Sequence, residues 1–192
     1  MVKKSLPILT LSIFSSMLGA GIIAPLLPLY ADNLGASVIW IGIIFAAFSI
    51  SRSVFIPIFG RLSDSNGRKV FLSIGLFSFS VISLGYIWAD SVQGLTLVRL
   101  VQGAAGVMVI LIAQAYVGDI SPEGEEGRKF GMGSTLGVFA MAFSIGMAIG
   151  PLLGGFMADV FNLNSAFYIS AAAGLVGTAL LIWFTRNKPR TT

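Results

Sequence analysis

The chain has 192 residues, 56% of them hydrophobic and 10% charged, with a net charge of +4 and a mean hydropathy of +0.92. These proportions exclude an ordinary soluble domain and describe an all-α membrane protein: a membrane-crossing helix needs about 20 mostly apolar residues, and six such runs are present, separated by short polar breaks. Cysteine and histidine are both absent, which removes disulfides, thiol nucleophiles, imidazole bases and the commonest transition-metal ligands, so neither a metal nor a cofactor is expected.

The first apolar run follows Lys3 and Lys4 and passes through Pro25 and Pro28 to Tyr30. A basic start with small residues at Gly19, Ala20 and Gly21 also suits a signal peptide, but the run continues and five more follow, so it reads as a first span. Ser12, Ser15, Ser16 and Gly19 recur at helical spacing and form a small, mildly polar stripe, expected to face other helices or a cavity. After a short loop from Asp32 to Ser37, the second span covers about Val38 to Phe59.

The stretch Gly60-Arg61-Leu62-Ser63-Asp64-Ser65-Asn66-Gly67-Arg68-Lys69 comes next and reads as a charged loop. Gly60 and Gly67 allow the backbone to turn and pack closely. Arg61, Arg68 and Lys69 are cations of the kind held on the cytoplasmic side of a bilayer. Asp64 is the lone carboxylate among them, placed for an ion pair or for the positive end of a helix dipole.

The third span is expected over about Val70 to Ala89, with a turn at Asp90-Ser91, and the fourth over about Gly94 to Gly118. A long loop from Asp119 to Lys129 follows, in which Ser121-Pro122 suits the N-cap and first position of a short interfacial helix. The fifth span covers about Phe130 to Ala158, and the sixth about Leu163 to Thr185, ahead of a basic tail with Arg186, Lys188 and Arg190.

Apart from Arg52 and Arg99, every cation falls on loops or ends that share one side if the N-terminus is inside, while the outer loops carry only Asp32, Asp90 and Asp159. The positive-inside rule then predicts a multi-pass protein of the cell membrane with both termini cytoplasmic. The basic residues flank spans rather than forming a soluble face, so the bilayer is an expected partner and nucleic acid is not. Pro57-Ile58-Phe59-Gly60 is echoed by Pro151-Leu152-Leu153-Gly154 on spans that cross in opposite directions. The echo suggests one six-helix domain over 1–192, built as two inverted three-helix repeats of about 1–93 and 94–192.

Arg52 and Arg99 lie inside spans, where a charge is costly unless paired or hydrated, so both are candidate functional residues. Gln102, Gly103 and Gly106 share a helix face with Arg99, a face suited to lining a polar cavity. Arg52 sits near Ser49 and Ser53, within snorkelling range of the cytoplasmic side. On the fifth span Gly146, Gly150 and Gly154 fall on one face at four-residue spacing, with Pro151 and Gly155 adjoining, which predicts close helix packing and a hinge. None of the eight carboxylates lies deep in a span, and no nucleophile and base pair is present, so an enzyme is not expected.

The Gly60 to Lys69 stretch resembles the signature loop between the second and third spans of the major facilitator superfamily of secondary transporters. Arg99-Leu100-Val101-Gln102-Gly103 is similar to that family's fourth-helix motif. Gly146-Met147-Ala148-Ile149-Gly150-Pro151-Leu152-Leu153-Gly154-Gly155 resembles the fifth-helix motif of its drug and metabolite:proton antiporters. The resemblance implies alternating-access transport of a small amphipathic or organic-anion solute, with proton-coupled efflux. It implies that Asp64 steadies the outward-facing state against a helix end of the opposite half, and that Arg99 takes part in proton coupling. Members have twelve spans in two halves and this chain has six, so the implied partner is a second copy or a C-terminal six-helix half. The alternative is a membrane adaptor, or an isolated half without activity of its own.

Overall fold

The computed structural model describes residues 2–120 and 131–186, with side chains over 6–119 and 131–183. The expected loop and cap at Ser121-Pro122, the cations Arg128 and Lys129, and the tail residues Lys188 and Arg190 lie outside the described residues. Six helices long and apolar enough to cross a bilayer make up the bundle. They are α1 (Val2–Asn33), α2 (Val38–Asn66), α3 (Arg68–Leu84), α4 (Val92–Ile120), α5 (Met132–Val160) and α6 (Leu163–Arg186), with a 3-10 turn at Gly85–Trp88 between α3 and α4.

Local chemistry accounts for the breaks. Ser37 caps α2 by accepting from the Trp40 amide, Ser91 accepts from the Gly94 amide ahead of α4, and Asn162 accepts from the Ser165 amide at 2.8 Å ahead of α6. Pro7, Pro25 and Pro28 lie inside a continuous α1, Pro57 inside α2 and Pro151 inside α5. Neighbouring helices tolerate such prolines in membrane spans.

One expectation is corrected here. The Gly60 to Asn66 stretch is not a loop: α2 runs on to Asn66 and only Gly67 breaks the backbone, at φ +95°. Gly60 is helical with open space where a Cβ would stand, so close packing at that position is also corrected. Polarity ends an apolar run where the membrane ends, but it does not end a helix. Ser63, Ser65 and Asn66 turn their side chains onto carbonyls of the last turns, and the α2 end is tied to its own backbone.

The packing has a two-fold pattern. α1 packs chiefly on α5 and α6, α4 chiefly on α2 and α3, and α3 meets α6. Exchanging α1 with α4, α2 with α5 and α3 with α6 leaves this set of pairings unchanged, as two inverted three-helix repeats require. α1 buries 61% of its apolar window, whereas α2 buries 17% and α5 22%. Large apolar side chains such as Ile50 and Val54 on α2, and Leu152 and Phe156 on α5, therefore stand exposed. The main core joins Leu9, Ile13, Leu72, Leu76, Val109 and Ala113, and a second cluster around Leu27, Tyr86, Leu95 and Phe167 fills the opposite end.

The serine stripe of α1 packs on α6. Ser15 Oγ donates to the Ala173 carbonyl, Ser170 Oγ donates to the Gly19 carbonyl at 2.8 Å, and a Cβ at Gly177 would meet the Ser12 carbonyl at 2.6 Å. In lipid, where burying apolar surface gives helices no reason to associate, small residues and interhelical hydrogen bonds supply the contact.

Candidate functional site

At the end of the bundle where α2 meets α3, Arg68 is held between two carboxylates. Its Nη2 lies 3.0 Å from Asp64 Oδ1 and its Nε 3.2 Å from Asp119 Oδ2. The first pair is local, across the Gly67 break; the second ties the start of α3 to the end of α4. The pair lines a recess of about 450 Å³ with Ser63, Gly67, Lys69 and Tyr116. Arg61 is exposed on the last turns of α2. Sequence reading placed Asp119 at the start of the loop after the fourth span and missed it as a partner of Arg68; contact between sequence-distant helix ends has no local signature.

The second constellation is built around Arg99, which is 8% exposed on α4, one turn from Gln102 at 1%. Arg99 Nη1 donates to Gln102 Oε1 at 3.1 Å, and the Tyr86 hydroxyl donates to the same oxygen. Gln102 Nε2 donates to Ser83 Oγ at 3.3 Å, and Ser83 Oγ donates to the Phe79 carbonyl at 2.9 Å. The guanidinium carbon stands 5.2 Å from the ring centre of Phe45, 5.4 Å from that of Phe48 and 5.8 Å from that of Tyr86. Among the described residues no carboxylate pairs with Arg99, and its Nε has no hydrogen-bond partner. Ring faces and an amide oxygen therefore take the role that an acidic residue would fill in the membrane.

Gly103 is what allows this cage. A Cβ there would collide with the Phe48 carbonyl, so its absence lets α2 approach α4 until Phe45 and Phe48 reach the guanidinium. Tyr86, Ser83, Phe45 and Phe48 were not singled out in the sequence. The available signal was a tyrosine in an apolar run, which equally suits a membrane-interface belt. Here it is fully buried, stacked on Phe167 with ring centres 5.2 Å apart.

Arg99 and Gln102 help to line a cavity of about 210 Å³ whose wall draws on α1 (Ala20, Ala24), α2 (Phe45, Arg52), α4 and α5 (Phe143, Met147). Arg52 is half-buried and makes no hydrogen bond or ion pair among the described residues. The two nearby hydroxyls do not serve it, because Ser49 donates to the Phe45 carbonyl and Ser53 to the Ser49 carbonyl. With α2 continuing to Asn66, Arg52 lies about 21 Å from that helix end. It lines the cavity wall instead.

The α5 glycines meet α1 backbone to backbone. A Cβ at Gly146 would lie 2.9 Å from the Phe14 carbonyl oxygen, one at Gly150 2.6 Å from Gly21 Cα, and one at Gly154 2.7 Å from the Ile22 carbonyl oxygen. Gly155 differs: nothing lies within 4 Å of its would-be Cβ, so it is not part of this interface. Pro151 stands in an unbroken helix. Among the described residues no group of three acidic, histidine or cysteine side chains could hold a metal ion.

Six membrane helices whose pairings exchange in two sets of three carry a buried guanidinium in a cavity, with no carboxylate partner among the described residues, and a salt-bridged break between α2 and α3 at one end. The chain belongs to the Major Facilitator Superfamily, whose family model matches residues 9–192. It is similar to an uncharacterized MFS-type transporter of Methanocaldococcus jannaschii, at 33% identity over 98% of this chain and 49% of that protein. It is also similar to the quinolone resistance protein NorA of Staphylococcus aureus, at 30% identity over 100% of this chain and 47% of that one. In fold it matches the human organic anion transporter MFSD10, with a TM-score of 0.76 at 19% identity, covering 96% of this chain and 47% of that structure. The chain spans about half the length of the curated relatives it matches. Membership in a transporter family bears out the expectations of a multi-pass membrane protein and of a chain that is not an enzyme.

Proposed function

We propose that this chain is one six-helix unit of an alternating-access transporter that moves a small amphipathic or organic-anion solute, with proton-coupled efflux as its working mode. The observation that carries the reading is Arg99, buried with no carboxylate partner among the described residues in a cavity walled chiefly by α1, α2, α4 and α5, beside the sparsely covered faces of α2 and α5. A quinolone resistance protein and an organic anion transporter among the similar proteins fit a cargo with an apolar body and a charged end.

In this reading 1–192 is a single domain dividing near residue 93, inserted in the cell membrane with both termini cytoplasmic. A second copy of the chain or a C-terminal six-helix half covers α2 and α5. The stretch holding Gly60, Arg61, Asp64, Gly67, Arg68 and Lys69 acts as the conformational switch, with Arg68 as its pivot between Asp64 and Asp119. Arg99, Gln102 and Arg52 contact cargo or coupling ion, and Gly146, Gly150 and Gly154 keep α5 close to α1 while Pro151 softens the helix.

The test is flux of an amphipathic solute in proteoliposomes holding the full chain, with and without a proton gradient. Flux above that of empty liposomes is expected, lost in Arg99→Ala and slowed in Asp64→Asn. Flux unchanged in both variants contradicts the reading, and no flux from a folded chain alone rules out a second copy as the unit that completes it.

A further inference from the structure

Two hollows adjoin in the bundle. The wider, about 700 Å³, is an open cleft between α4 and α5 whose wall includes Gln114, Met132, Leu136 and Ser144. The narrower, about 210 Å³, holds Arg99 and Gln102. Arg52, Ile110 and Phe143 belong to both walls, so Arg52 stands at the boundary between cleft and cavity. Among the described residues no aspartate or glutamate lines either hollow, while two guanidinium groups do.

A guanidinium keeps its charge at every accessible pH, and a charge held inside a membrane protein needs a counter-charge, water or aromatic faces. Arg99 is partly served by Gln102 and three rings, with Nε left over. Arg52 is served by nothing among the described residues. Phe45, Phe48, Phe79 and Phe143 supply flat apolar surface around the two cations. A ligand that satisfies both features carries a carboxylate or sulfonate on an aromatic body.

We propose that Arg52 and Arg99 form a two-step path for an aromatic organic anion: Arg52 captures the anionic group in the cleft, where Gln114 and Ser144 offer further hydrogen bonds, and passes it to Arg99 in the caged cavity. The proposal rests on the transporter reading and specifies its cargo and the order of contact. Arg52 governs entry and Arg99 governs retention, because a charge met first acts on association and a buried, hydrogen-bonded one on dissociation.

The test uses the full chain in nanodiscs of uncharged lipid and two fluorescent probes sharing an aromatic frame: anilinonaphthalene sulfonate and its uncharged counterpart N-phenylnaphthylamine. Binding and association rates are measured against empty nanodiscs. The anion is expected to bind more tightly than the neutral probe, and Arg52→Gln to slow anion association about tenfold. Neutral-probe binding should stay unchanged, which also reports that the variant is folded, and Arg52→Lys should recover most of the rate. Equal binding of the two probes, or equal slowing of both by Arg52→Gln, overturns the anion path and leaves the transporter reading standing. Binding of neither probe likewise overturns the anion path.

Discussion

Arg99 and Tyr86 donate to the same atom, Gln102 Oε1, from different elements of the bundle: one from α4, the other from the 3-10 turn that ends α3. The shared oxygen makes Gln102 the point at which the guanidinium is oriented, and the stack of Tyr86 on Phe167 extends that support to α6.

Removing the members of this network singly should cost unequal amounts. Tyr86→Phe keeps the stack and loses one donor, for about 1 kcal/mol. Gln102→Leu leaves the Arg99 and Tyr86 donors both buried without an acceptor, and each orphaned group costs about 1–3 kcal/mol. Thermal unfolding in detergent, followed by tryptophan fluorescence, should therefore place Gln102→Leu well below Tyr86→Phe. Equal midpoints would mean that the oxygen is not shared.

The α1 and α5 contact makes a position-specific prediction. Gly150→Ala puts a methyl 2.6 Å from Gly21 Cα and 2.7 Å from the Leu18 carbonyl oxygen. These are backbone atoms that no rotamer change can move, so about 1–3 kcal/mol should be lost. Gly155→Ala meets nothing within 4 Å and should be neutral or gain up to about 1 kcal/mol from helix propensity. The same unfolding assay checks both, and a loss at Gly155 matching that at Gly150 would refute the assigned helix face.

The two bridges of Arg68 should differ in reach although both are partly exposed and worth about 1 kcal/mol or less. The bond to Asp119 joins two helices, while the bond to Asp64 closes one turn. Because the chain has no native cysteine, Ser63→Cys gives a single thiol at a buried position in the recess. Its maleimide labelling should speed up with Arg68→Ala and with Asp119→Asn, and less with Asp64→Asn. The reverse order would make the local turn the structural tie.

What the sequence disclosed follows from what is periodic in it. Apolar run length placed all six helices, and four-residue glycine spacing placed Gly146, Gly150 and Gly154 on the α5 face that meets α1. Composition misplaced the end of α2, because Arg61 to Asn66 leave the apolar run without leaving the helix. Arg99 and Gln102 were legible as i, i+3 neighbours, whereas Tyr86, Phe45 and Phe48 join them from other helices. Asp119 likewise reaches Arg68 only through the fold. Gly155 drew attention as the neighbour of Gly154, yet one residue is about 100° of helix, enough to turn it off the interface.

The central claim, alternating access to the Arg99 cavity, is tested most directly by the reactivity of a cysteine at Ala20, which lines that cavity from α1. Membrane-impermeant maleimide is applied to one face of the membrane at a time, with Val176→Cys, exposed on α6 and outside the cavity wall, as the control. The account predicts labelling of Ala20→Cys from both faces, a shift in their ratio when Arg68→Ala is added, and no labelling of the control. Labelling from one face alone, unchanged by Arg68→Ala, would contradict it.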